Sequence, residues 1–263
     1  MNNESGVYFI KQPEKLFIAH RGESHDAPEN TIAAIKLAWE RGLKAVEVDV
    51  HLTADNEICV IHDKDTLRTT GKKLVVSKSG IEELQKLDAG SWKGKKWSGE
   101  KIPTLKEVLA GVPEKGKLII EIKSDSRILD KLKYDTRNSG LRKGQIEIIA
   151  FNLQTLARAK QMMPEYKMLW LFTSMPVLLQ YLSGTNPGAV LKKLRRYNLD
   201  GVNIGNTRFF NKKFIEKLTS EGYPIYTWTV NDPDRALTLL KWGVEYVTTD
   251  KAAWMAEKIK DKI

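Results

Sequence analysis

Apolar and polar residues alternate in blocks along this chain. Short runs rich in β-branched and apolar side chains, such as AVEVDV at 45–50, recur at 16–19, 117–122, 146–151, 167–171, 201–204, 224–230 and 246–248 and predict strands. Between them lie segments whose apolar positions repeat with a helical period, such as TIAAIKLAWE at 31–40. Further helices are predicted over 104–110, 127–138, 153–162, 177–182 with 189–197, 211–221, 233–242 and 252–260. One more short strand is read at 58–61, and the rhythm breaks after it. Residues 63–102 are rich in Lys, Gly, Ser and Thr and predict an excursion with a short helix over 80–87.

Strands too apolar to keep a wet face, each followed by a helix, point to a parallel sheet covered by helices. Eight such units in 263 residues predict a closed (β/α)8 TIM barrel, a single domain over 1–263 that carries the 63–102 excursion. A doubly wound open sheet would use fewer strands and a glycine-rich turn after the first. The turn here, HRGESHDAPEN, holds one glycine.

Composition adds bounds rather than a function. A hydrophobic fraction of 41% is enough for a sizeable core. The formal charge is +10, which favours anionic partners, but the lysines are dispersed and no basic tract with interleaved aromatics suggests a nucleic-acid groove. The lone Cys59 sits in an apolar run and reads as a buried structural thiol. MNNESGVYFIKQPEK lacks a signal-peptide pattern, and no stretch has the length and apolarity of a membrane span, so a cytoplasmic location is expected for the chain as given. Oligomeric state is not legible.

In a barrel the chemistry gathers where strands end. His20 and Arg21 follow the first strand, Glu47 and Asp49 share one face of the second, His62 follows the short strand, and Glu121 and Lys123 close the next barrel strand. If Val46, Val48 and Val50 face the helices, both carboxylates of the second strand point to the barrel axis. Three inward carboxylates need a cation, and hard oxygen ligands suit Mg2+ or Ca2+ better than zinc. The alternative is that Lys or Arg neutralises them. His20 and His62 beside such a site fit an acid–base pair, while Arg21 and Lys123 favour a phosphate ester. Trp228, late in a strand, walls a pocket or packs in the core. His25, His51, Glu23, Asp26 and Glu29 are read as residues without a chemical role.

HRG with PENT at 28–31, EVDVHLTAD at 47–55, VIHD at 60–63 and LRTTG at 67–71, followed by LDAGSWKG, IPTLKEVL, IEIK, TWTVN and VTTD in order, resemble the glycerophosphodiester phosphodiesterase family. The resemblance spans residues 17–250. It implies a (β/α)8 barrel with an insertion after the second strand that hydrolyses glycerophosphodiesters to glycerol 3-phosphate and an alcohol with one divalent cation. It also implies Glu47, Asp49 and Glu121 as metal ligands, His20 and His62 as the acid–base pair, and Arg21 and Lys123 as phosphate contacts. Ala150 stands where the family often has serine, which touches substrate detail. A related activity on lysophospholipids would be favoured if Trp92, Trp97 and Trp228 formed an apolar approach; a barrel that binds a phosphate ester without turning it over is the further alternative.

Overall fold

The computed structural model describes residues 12–174 and 176–260; the expectation made for residues 1–11 lies outside them. Strands β1 (Phe17–His20), β2 (Ala45–Leu52), β4 (Lys117–Ile122), β5 (Ile146–Ala150), β6 (Lys167–Thr173), β7 (Gly201–Gly205), β8 (Ile225–Trp228) and β9 (Tyr246–Thr249) pair in parallel, each with its neighbour. Pairing of β1 with both β9 and β2 closes the ring into the expected eight-stranded barrel. Strand β3 (Ile58–Val60) stays outside it, folded back antiparallel on β2.

Outward positions of the strands, among them Phe17, Val46, Val48, Val50, Leu118 and Ile120, pack with the surrounding helices in one large core. These helices are α1 (Ile32–Glu40), α4 (Leu105–Ala110), α5 (Leu129–Arg137), α6 (Leu153–Met162), α8 (Pro187–Tyr197), α9 (Lys212–Thr219), α10 (Pro233–Lys241) and α11 (Ala252–Lys260). Their starts are set by side chains that accept an orphan backbone N–H: Thr31 for α1, Asn152 for α6, Asn211 for α9 and Asp232 for α10. The helix predicted from 127 begins two residues later, after a 3-10 turn at Ser126–Ile128 that Asp125 caps. A two-turn helix, α7 (Val177–Ser183), lies between β6 and α8.

Between β3 and α4 the chain forms short helices α2 (Leu67–Thr70) and α3 (Ile81–Gln85), the first not anticipated from sequence. Ile61, Val76, Leu84, Leu87, Ala89 and Ile102 build a small core of their own there around Cys59. Burial pushes the Cys59 thiol up to about 12, so it is an inert packing group.

Inside the barrel the side chains form layers. Ile18, Ala45, Ile119, Ile149, Leu169, Leu171 and Tyr226 fill the interior. At the amino-terminal end Glu147 accepts from Lys117 at 2.7 Å and from the Tyr226 hydroxyl at 3.2 Å, and Tyr226 also accepts from Lys167 at 2.9 Å. This belt closes the bottom with paired charge, while its second buried oxygen, Glu147 Oε2, has no hydrogen-bond partner.

Removing the Glu147 charge leaves Lys117 at the barrel bottom with no carboxylate partner among the described residues, held only by the Tyr246 hydroxyl and ring. Glu147→Gln is expected to lower unfolding free energy by about 1–3 kcal/mol, read as a lower urea midpoint with unchanged slope.

Candidate active site

The opposite end of the barrel carries the residues singled out from sequence. Register places His20 beside Glu47 and Asp49 beside Glu121 on the adjoining strands β1, β2 and β4. His20, Arg21, Glu47, His62, Glu121, Lys123 and Trp228 all line one cavity of about 180 Å3, and Asp49 lies wholly buried beneath it. Trp92 and Trp97 do not line it. Its remaining wall is Ile149, Phe151, Leu171, Asn203 and Thr248.

The three carboxylates crowd together: one oxygen from each lies within 4.8 Å of the others. Burial, then Asp49, then Glu121 hold the Glu47 carboxyl well above the usual range. Burial and the Asp49 charge likewise push Glu121 up to about 7, although Lys123 opposes the shift. Asp49 goes the other way; burial disfavours its charge, but Lys123 and Arg21 outweigh it and leave the carboxyl below its ordinary value. Lys123 Nζ sits 2.6 Å from Glu121 and 3.2 Å from Asp49, and Arg21 Nε sits 3.1 Å from Asp49. Lys123 and Arg21 thus meet the Asp49 and Glu121 carboxylates as close ion pairs, while the buried Glu47 Oε1 accepts no hydrogen bond from the described residues.

Three buried carboxylates that can each offer an oxygen within 4.8 Å of the others, with Glu47 Oε1 lacking a hydrogen bond, fit the hard-oxygen donor set of a divalent cation. Two side-chain cations against three buried carboxylates also leave room for added positive charge.

The turn after β1 is shaped to hold this arrangement. Arg21 adopts a left-handed backbone, φ 57°, which aims its N–H at Glu47 Oε2 at 3.1 Å. The next residue must be glycine: at Gly22, φ 82°, a Cβ would come within 2.5 Å of the Ala34 backbone in α1.

Each histidine has one ring nitrogen engaged. His20 Nδ1 is 2.6 Å from Asp250 Oδ1, and His62 Nδ1 is 2.7 Å from Asp63 Oδ1. Carboxylate partners hold a proton on Nδ1 and leave each Nε2 to accept a proton or, when the ring is charged, to give one; His20 Nε2 lies 4.0 Å from Glu47 Oε2. Burial lowers the His62 pKa, while the Asp49 charge and the hydrogen bond to Asp63 oppose that shift. Trp228 meets Phe151 edge-on, ring centres 5.5 Å apart, at the rim of the cavity.

Several supporting residues were not read from sequence. Asp250 follows the last strand, and Asn231 fixes it by donating to Oδ2 at 2.7 Å. Both lay in quoted motifs, TWTVN and VTTD, and a carboxylate at a strand end was the available signal. Asn30, left-handed at φ 58°, donates to Asp49 at 2.8 Å and accepts from its backbone N–H at 3.1 Å. Glu29 and Glu23, read as residues without a role, are structural. Glu29 accepts from Arg21 at 2.8 Å and from both ends of the Arg68 guanidinium, whose Nε donates to Asp63 at 2.6 Å. Glu23 is buried, accepting from Arg41 and from the Ala253 N–H at the start of α11. His51 donates to the His62 carbonyl at 3.1 Å, so it steadies the backbone under that residue.

Asn30 combines a backbone role with a side-chain role, and the two separate by mutation. Asn30→Ala is expected to destabilise the fold by about 2–4 kcal/mol, and Asn30→Gly by roughly 1 kcal/mol less because glycine tolerates the left-handed turn; paired denaturation curves measure both.

Comparison with known proteins agrees with this geometry. Residues 20–253 match the model of the glycerophosphoryl diester phosphodiesterase family. YhdW of Bacillus subtilis is 37% identical over 239 residues, covering 89% of this chain and 93% of its own length. A glycerophosphodiester phosphodiesterase of Caldanaerobacter subterraneus is 35% identical over 243 residues, with the same two coverages. Among solved structures, an Oleispira antarctica phosphodiesterase in complex with the product sn-glycerol-3-phosphate superposes with a TM-score of 0.83 at 29% identity, covering 93% of this chain and 96% of that one. The chain belongs to the glycerophosphoryl diester phosphodiesterase family.

Proposed function

We propose that this protein hydrolyses glycerophosphodiesters to glycerol 3-phosphate and an alcohol, with His20 and His62 moving the protons. The observation that carries the reading is the convergence of two carboxylate-backed imidazoles, two cations and the carboxylates of Glu47 and Glu121 on one cavity, with Asp49 buried beneath it. The family membership and the product-bound relative support it. The whole chain is read as one catalytic domain, with residues 63–102 as an insertion.

A phosphodiester entering the cavity would meet Arg21 and Lys123, whose charges offset the negative charge that grows on the phosphoryl oxygens. Hydrogen bonds to Asp250 and Asp63 orient the two imidazoles and stabilise each if it becomes charged. One neutral imidazole takes at Nε2 the proton of the attacking oxygen, water or the 2-hydroxyl of the glycerol, and the other, entering the step protonated at Nε2 as well as at Nδ1, gives that Nε2 proton to the departing alcohol. We assign the first task to His20 and the second to His62; the chemistry runs equally with the roles exchanged. Glu47, Asp49 and Glu121 would hold a divalent cation, Mg2+ or Ca2+, which when bound supplies Lewis-acid polarisation of a phosphoryl oxygen. Apolar Ile149, Leu171, Phe151 and Trp228 keep bulk water from the far wall and leave space for the alcohol group.

His20→Ala and His62→Ala are each expected to cut turnover of glycerophosphocholine by about two to four orders of magnitude with the fold intact, followed by phosphorus NMR of the products. Near-normal turnover in either variant would remove that residue from proton transfer. Asp250→Asn tests the orientation of His20: turnover is expected to fall by about one to three orders of magnitude while KM changes little.

A further inference from the structure

We propose that the rim of the barrel beyond β6 and β7 docks this protein onto an anionic phospholipid surface. Two observations on neighbouring segments carry it. The first is the apolar face of α7, where Leu178 is 72% and Leu182 75% exposed, with Leu179 at 46%. Leu178 and Leu182 are the most exposed large hydrophobic side chains among the described residues, and their spacing places them side by side on one helix face. Single exposed leucines are ordinary; three on two turns of one helix are not.

The second observation is charge. Residues 174–186, which include α7, contain no charged side chain at all. The segment after β7, residues 206–213, which runs into the first turn of α9, contains Arg208, Lys212 and Lys213 and no Asp or Glu; all three cations are exposed, and Lys212 also pairs with Glu216 at 3.5 Å. The two connections are joined where the Thr207 hydroxyl donates to the Ser174 carbonyl at 3.0 Å. Arg208 lies over the Phe209 ring at 4.8 Å. The rim thus sets bare leucines beside a row of cations, the pairing that lets a helix sink its apolar side chains among lipids while its flanks meet anionic headgroups.

A second copy of the chain is a poorer occupant. A symmetric contact over α7 would set the same cations of two chains, each with a net charge of +10, close to one another. An anionic lipid surface satisfies both features together.

The position gives the docking a consequence. Leu171 of β6 lines the active-site cavity, and Phe151, 46% exposed on the adjoining connection, lines it too. The docked face is therefore the face on which the cavity opens. Resting on the proposed function in this respect only, phosphodiesters that keep an acyl chain would reach the site without leaving the lipid surface.

The test is flotation of the full chain with vesicles of phosphatidylcholine, alone or mixed with phosphatidylglycerol. The expected result is binding to the mixed vesicles that weakens with salt. Leu178→Gln with Leu182→Gln should lower affinity by at least about tenfold, and Arg208→Gln with Lys212→Gln and Lys213→Gln should remove the salt dependence. Turnover of water-soluble glycerophosphocholine should stay at the parent level in both variants, which also shows that they are folded. Failure of the parent to float with anionic vesicles, or equal flotation of the leucine variant, would overturn the proposal. So would a parent dimer in sedimentation that the leucine variant dissociates. A parent that floats but hydrolyses no glycerophosphodiester would sustain the docking and overturn the proposed function instead.

Discussion

Repulsion among Glu47, Asp49 and Glu121 is the constraint around which the catalytic end of this barrel is organised. Three carboxylates within 4.8 Å, all buried, cannot stay ionised in an apolar barrel without nearby positive charge. The structure meets part of that need with Arg21 and Lys123, while burial together with the neighbouring carboxylates still holds Glu47 and Glu121 above their ordinary range. The cations themselves are then anchored from outside. Arg21 reaches Glu29, Glu29 binds Arg68, and Arg68 holds the Asp63 that orients His62. A chain of charges therefore links the buried carboxylates to His62 through Arg21, Glu29, Arg68 and Asp63, and a change at Arg68 would be felt at His62.

The barrel suits such a site because its layers separate strength from chemistry. Valines and isoleucines on the outer faces of the strands bury against the helices, and an apolar interior underlies the cavity. The Lys117, Glu147, Lys167 and Tyr226 belt closes the far end with paired charge. The carboxylates lie at the mouth, where the left-handed Arg21 and Asn30 bring backbone and side-chain groups onto Glu47 and Asp49. No helix among the described residues is long and apolar enough to cross a membrane.

Much of this was legible in the sequence because it depends on period. Alternating strand and helix runs gave the barrel, and the two-residue spacing of Glu47 and Asp49, set against Val46, Val48 and Val50, gave the inward face. Both carboxylates do lie inside, with the valines in the helix-packed core. The alternatives weighed for Arg21 and Lys123 turn out not to exclude one another, since both cations contact carboxylates while lining the cavity. What escaped depends on contacts between distant segments. Asp250 meets His20 across 230 residues, Asn30 clasps Asp49 only because the β1–α1 turn folds over β2, and Glu23 is buried only because α11 returns to it. No local pattern encodes those meetings. The leucines of α7 were read simply as helix, because a helical period does not say whether a core is there to receive it.

The central claim is that the three carboxylates share one divalent cation. Calorimetric titration of chelator-treated protein with Mg2+ and with Ca2+, repeated on a Glu47→Gln, Asp49→Asn double variant that melts like the parent, tests it most directly. The account predicts a single ion bound per parent chain and no measurable binding to the variant. A parent that binds neither ion, or a variant that binds as the parent does, would contradict it.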